Sequence, residues 1–305
     1  MTAVRPWSTV AFRAMGSPCR IVAPTWELAQ HGQGLVLELE RTWSRFDPSS
    51  EVCELNDHAG RLTIVSPVTY ELVALAEHAR RATGGAFNPL MLDHLVDLGY
   101  DRTWESMQHD GAPLPPARVA SDHPIELYPE ISAVRLPSDA HFDPGGIGKG
   151  MAADMVAAAL LGAGAEAVQI ELGGDVRVAG PSWSGGPWKV QLDDRDHGCA
   201  CPATISLAGG GVATSTVLRR RWRRGDLDVH HLIDPTTGRS AATDLDSVTV
   251  VGPTLWWAEV VAKVALMRGS TSGRELLEDL GMPGVLVGRD AAHRYEVVSS
   301  GAVAA

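Results

Sequence analysis

Apolar side chains recur at helical spacing in five stretches of the chain. Residues 26–45 carry Leu28, Leu35, Leu37, Leu39 and Trp43 on a roughly helical period, which predicts an amphipathic helix. Residues 67–82 predict a second, with Ser66 as N-cap, Pro67 at the first helical position and Gly84 just past the end. A third runs from about 148 to 162 and stops at Gly162. A fourth covers about 254–268 and ends at Gly269, and a short fifth, 272–280, ends at Gly281. Strands are predicted at 10–23, 132–136, 167–172, 175–179, 187–192, 203–207, 228–233, 246–251 and 284–288. Gly173-Gly174 joins two of them and is a strong hairpin signal. Strands come in runs between helices rather than in strict alternation, which favours α+β over a doubly wound parallel sheet.

The chain has 305 residues, room for one large domain or two modest ones at roughly 100–200 residues each. It is read as a single domain over 1–305, with its core at about 12–270 and a polar, Pro-rich surface excursion at about 104–124. Asp and Glu outnumber Lys and Arg by 37 to 26, a net charge of −11 that argues against nucleic acid or an anionic membrane as partner. No apolar stretch reaches the roughly 18 residues of a membrane span. The start, MTAVRPWSTVAFRAMG, has no apolar signal region and no lipobox, so a cytoplasmic chain is expected. Cys19, Cys53, Cys199 and Cys201 form no CxxC pair and are read as reduced thiols.

The most informative segment is FDPGGIGKGMAAD, 142–154. Its glycines at 145, 146, 148 and 150 stand directly before a helical run. Free amides at a helix start, with the dipole behind them, make an anion site, and glycine lets a phosphate approach the backbone. Lys149 adds a positive charge inside an otherwise anionic molecule. The P-loop pattern fails, because Gly150 follows Lys149 and Asp143 stands where its first glycine belongs. The dinucleotide fingerprint is absent too. By itself the segment is equally a helix start whose glycines only permit tight packing.

Three other groups carry candidate chemistry. His231 ends an apolar strand ahead of Asp234 and Gly238, either as a general base or as a half-buried turn histidine. Glu259 and Lys263 lie four apart on a helix with little polar face, so a partly buried pair is expected rather than a solvated one. The run Arg219–Arg224, broken only by Trp222, reads as the solvated end of a hairpin rather than a nucleic-acid surface.

Eight segments in order then resemble the ApbE family of flavin transferases. They are Ala14–Ser17, RFDPSSEVCELN (45–56), TGGAFNP (83–89), DPGGIGKGMAAD (143–154), LGGDVRVAG (172–180), GVATSTVLRR (211–220), HLIDPTTG (231–238) and 247–269. The resemblance implies two closely packed α/β subdomains with mainly antiparallel sheets and a cleft between them. It implies a reaction that splits FAD at the pyrophosphate, transfers FMN to a Thr or Ser of an acceptor protein and releases AMP, usually with magnesium. By the same resemblance Met15, Phe46, Ala86, Phe87 and Asn88 hold the flavin nucleotide. Asp143 and Lys149 frame the pyrophosphate, Ile233 packs on the ligand, and His231 deprotonates the acceptor hydroxyl.

The metal site departs from the family pattern. Where the last helix normally has Asp and Thr as ligands, this chain has Glu259 and Lys263, and Asn88 stands where Asp is common. A backbone carbonyl at Gly146 would remain as a ligand. Glu259 still reaches a hard cation, but a protonated Lys263 cannot ligate one. The expectation is that the Lys263 ammonium takes the ion's place beside the pyrophosphate. The alternative function is an FAD-binding protein of the same fold with weak or no transfer.

Overall fold

The computed structural model describes residues 7–107, 113–192, 204–289 and 295–298. In chain order it has β1 (Ser8–Ala14), β2 (Ser17–Ala23), α1 (Trp26–Trp43), α2 (Glu51–Asp57), β3 (Thr63–Ile64), α3 (Pro67–Ala82), α4 (Leu92–Asp97), β4 (Glu126–Tyr128) and β5 (Ala133–Arg135). Then come α5 (Gly148–Gly162), β6 (Val168–Leu172), β7 (Asp175–Ala179), β8 (Trp188–Gln191), β9 (Thr204–Leu207), β10 (Gly210–Thr216), β11 (Arg221–Arg224) and β12 (Leu227–His230). The last are β13 (Ile233–Asp234), β14 (Arg239–Ser240), β15 (Leu245–Gly252), α6 (Leu255–Leu280), β16 (Gly284–Gly288) and β17 (Tyr295–Val298). Cys199 and Cys201, and 108–112 of the surface excursion, lie outside the described residues.

The chain divides into two compact units of interleaved segments. One comprises Met1–Glu40, Gly146–Thr216 and Asp244–Ala305, the other Arg41–Gly145 and Val217–Thr243. The first is framed by an antiparallel eight-stranded sheet in the order β1-β2-β6-β7-β10-β15-β16-β17. Two of its hairpins turn on two residues in the left-handed region. Met15 and Gly16 (φ 52° and 63°) join β1 to β2, and Gly173 and Gly174 (φ 68° and 100°) join β6 to β7. Val176 and Val178 of β7 pack with Trp188, Ile205 and Leu207 of the β8–β9 ribbon on one face of the sheet. The opposite face carries α5 and α6. Both faces are therefore covered.

The structure corrects several boundaries. The stretch 10–23 is a hairpin, and 228–233 is two strands, β12 and β13. Of the expected stripe of α1, Leu39 and Trp43 are buried, but Ala29, Gly32 and Val36 complete it in place of Leu28, Leu35 and Leu37, because Gly32 lets Ile21 of β2 and Leu160 of α5 lie against the helix. The fourth and fifth helices do part at Gly269 (φ 78°), as the sequence predicts, and α6 denotes the two halves together. Asp244 caps the second half by accepting from Ser270 N at 2.9 Å. Strand β10, GGVATST, lacks a strong apolar pattern because α6 lies directly on it; a Cβ at Gly211 would sit 2.5 Å from Leu255 Cα.

The second unit holds α2, α3 and α4, a small sheet β3-β5-β4, and the ribbons β11–β12 and β13–β14. Its core gathers Met91, Leu95, Leu98, Tyr100, Trp222, Val229 and Ile233. Trp222 is a core residue inside the arginine run, and its Nε1 donates to Leu98 O at 2.7 Å. Arg221, Arg223 and Arg224 thus occupy a hairpin strand, as their position beside Gly225 suggests, while Arg219 and Arg220 lie in the bend before it. Among the described residues no helix is long and apolar enough to cross a membrane.

Candidate functional site

In the first unit, candidate residues gather at the start of α5. The chain reaches it through Gly146 (φ 94°), and the N-cap residue Ile147 contributes no side-chain hydrogen bond. The Lys149 ammonium lies 2.7 Å from Asp175 Oδ2 and 2.5 Å from Glu259 Oε1. The other Glu259 oxygen, Oε2, accepts from Gly150 N at 2.8 Å. Asp175 is held in turn, since its Oδ1 accepts from Thr214 N at 2.9 Å. A carboxylate from α6 therefore satisfies an amide that the first turn of α5 leaves unpaired.

The β6–β7 turn packs against this lysine and against Ser17 at the start of β2. A Cβ at Gly173 would meet Ser17 Oγ at 2.9 Å and the Lys149 stem at 3.6 Å. Met15, in the neighbouring turn, is held by its N–H, which donates to Glu40. Gly150 has a packing duty, because a Cβ there would lie 2.5 Å from Trp256 Cα. Lys263 follows Glu259 by one turn of α6 and is half-buried.

The electrostatics follow from this burial. Desolvation works against the Lys149 ammonium, but Asp175 and Glu259 outweigh it and raise its pKa well above the ordinary lysine value. Glu259 is pushed upward, first by burial and then by the charge of Asp175. Burial likewise pushes the Cys19 thiol up to about 11, so it stays protonated and unreactive.

The second unit holds the other candidates. Arg45 reaches Asp143 (Nε to Oδ1 3.3 Å) and donates to Tyr100 O at 3.0 Å. Its guanidinium lies 4.1 Å from the Phe46 ring centre and 4.5 Å from that of Tyr100. Arg45, Phe46, Cys53, Asp101, Arg102 and Ser106 line a cavity of about 410 Å³. Asn56 pins the backbone before Asp143 through paired hydrogen bonds with Phe142. Gly145 leaves room for the Asp143 carboxylate to fold back, since a Cβ there would be 2.7 Å from its Oδ2.

Not every expected ligand residue presents its side chain. Phe87 is wholly buried beyond α3, where its N–H donates to Thr83 Oγ1, and Ala86 beside it is half-buried. Asn88 is buried, and its Oδ1 accepts from Leu90 N. Ile233 belongs to the core. His230 is tied to the backbone: its Nδ1 accepts from Leu232 N, and its Nε2 lies 3.2 Å from Ala241 O. His231, next in the chain, is half-buried. Asp175, Asp154 and Arg45 were not singled out from sequence. A signal for Asp175 existed in its place directly after Gly173-Gly174.

Residues 15–286 match the ApbE family. A relative from Treponema pallidum, named FAD:protein FMN transferase, is 29% identical over 82% of this chain and 73% of its own length. One of the same name from Salmonella typhimurium is 30% identical, over 47% of this chain and 41% of its own length. Among solved structures, the ApbE protein of Thermotoga maritima superimposes with a TM-score of 0.83 at 24% identity, covering 97% of this chain and 98% of that one. With an α+β fold of mainly antiparallel sheets and a family match spanning most of its length, this chain belongs to the ApbE family.

Proposed function

We propose that the chain is an FAD:protein FMN transferase, the activity for which its Treponema and Salmonella relatives are named. The observation that carries this reading is the half-buried Lys149 ammonium at the first turn of α5, inside the matched family region. An ammonium has three donors, and two of them go to Asp175 and Glu259. The third is left for a phosphate oxygen, and the dipole of α5 adds to the attraction.

The chemistry is a phosphoryl transfer. The acceptor's Thr or Ser oxygen attacks the phosphorus on the FMN side of the diphosphate, the bond to the bridging oxygen breaks, and AMP leaves. His231 takes the hydroxyl proton. Lys149 balances charge developing on the diphosphate, the kind of fixed electrostatic support that lowers such barriers. By the family resemblance Met15, Phe46, Ala86, Phe87, Asn88, Asp143 and Ile233 are assigned to flavin-nucleotide binding, Phe87, Asn88 and Ile233 through backbone and packing because their side chains are buried.

Magnesium fits these residues poorly. Both Glu259 oxygens already accept hydrogen bonds, from Lys149 Nζ and Gly150 N, and the next turn of α6 brings a lysine. In this reading Lys149 and Lys263 supply the positive charge.

The test combines titration and mass spectrometry. FAD affinity should be the same in EDTA and in magnesium, and a Thr-containing acceptor should gain the mass of FMN. His231→Ala should keep the affinity and lose the transfer. Absence of FMN ester from the wild type in either buffer overturns the transferase reading. A large loss of affinity in EDTA overturns the lysine substitution alone.

A further inference from the structure

Helices α5 and α6 each begin without a cap of their own. Ile147 and Thr254 occupy the N-cap positions, and neither makes a side-chain capping hydrogen bond. Each is capped by the other helix. Glu259 of α6 accepts from Gly150 N of α5 at 2.8 Å, and Asp154 of α5 accepts from Trp256 N of α6 at 2.9 Å. Gly150 and Asp154 stand one turn apart on α5, as do Trp256 and Glu259 on α6. The two hydrogen bonds thus form adjacent rungs between the helices, and between them Gly150 passes against the Trp256 backbone.

Strand β7 anchors both rungs. Asp175 and Arg177 are two apart and share a face, as strand alternation requires. Asp175 holds the lysine beside one carboxylate cap, and Arg177 Nε lies 2.6 Å from Asp154 Oδ1 at the other. Burial pushes the Asp154 carboxyl above its ordinary value, so keeping an acid here works against stability. A neutral packing residue would avoid that cost but would leave the first amides of α6 unpaired.

We infer that Asp154 is a positioning residue. By capping α6 it sets the first turn of that helix, and so fixes Glu259 against Lys149 and Gly150. A shift of α6 that loosens the Asp154 rung loosens the Glu259 rung with it. The inference deepens the transferase reading and rests on it for its consequence, FAD affinity.

The test is a double-mutant cycle on the full chain, with FAD affinity read by flavin fluorescence well below each variant's melting temperature. Asp154→Ala should weaken FAD binding about tenfold, and by less than about twofold once Glu259→Gln is present. Asp154→Asn keeps an acceptor for Trp256 N–H and should stay within about threefold of wild type. Hydrogen exchange supplies a readout that needs no flavin. Asp154→Ala should deprotect the Gly150 amide, which Asp154 does not touch, as well as that of Trp256. Additive losses in the cycle, or a Gly150 amide still protected in Asp154→Ala, overturn the positioning role. Wild-type protein that binds no FAD overturns the transferase reading instead, and exchange at Gly150 then decides the positioning role.

Discussion

Helices α3 and α5 begin in opposite ways. The first turn of α3 is capped from within its own sequence: Ser66 Oγ accepts from Thr69 N, and Pro67 removes one amide that would need a partner. The first turn of α5 is capped by Glu259, 109 positions further along the chain. A local cap works wherever the helix goes. A distant one works only when the fold is complete, and it brings a charge that must itself be balanced. Around α5 that balance, Lys149 between Asp175 and Glu259, is the candidate site. The helix that relies on the rest of the fold is the one we assign to chemistry.

Three measurements probe this contrast. The largest effect is expected from Lys149→Met, which strands Asp175 and Glu259 as adjacent buried carboxylates. Urea denaturation should show a loss of about 3 kcal/mol or more. Ser66→Ala removes only the local cap and should cost about 1 kcal/mol by the same measurement, with FAD binding unchanged.

The smallest effect is in the pH dependence, where the two kinds of site should differ in sign. In α3, burial opposes the Glu77 charge, but Arg80 and Arg81 outweigh it and hold the carboxyl below its ordinary value of 4.5. Its contribution is full above that value and is lost as the pH falls through the lower folded one. Wild type should therefore lose its advantage over Glu77→Gln in acid. Asp154 is raised above 3.8, so the native state takes up its proton first as the pH falls. Between the folded value and 3.8 the burial cost is relieved, and wild type should gain on Asp154→Asn. Denaturation curves from pH 7 down to about pH 3 check both slopes.

Much of the frame is legible in the residues. The limits of α3 follow from Ser66 and Pro67, the β6–β7 turn from Gly173-Gly174, and the start of α5 from its glycines. These are local energies, set by backbone freedom, ring constraint and hydrogen bonds a few residues long. The family motifs are legible in the same way, as short segments in order.

What lies across long sequence separations is not. Asp175 and Arg177 alternate with valines in DVRVA, yet helices cover the face they share, leaving Asp175 buried and Arg177 half-buried. Glu259 and Lys263 read as a pair on one helix, but the Glu259 carboxylate is committed to α5. Which leucines of α1 are buried was settled by Gly32 meeting Ile21 and Leu160. The sequence alone determined where elements start and turn, because those energies act within a few residues. Only the tertiary structure decided which charge meets which, because a buried ion's partner is whatever packing brings within about 3 Å of it.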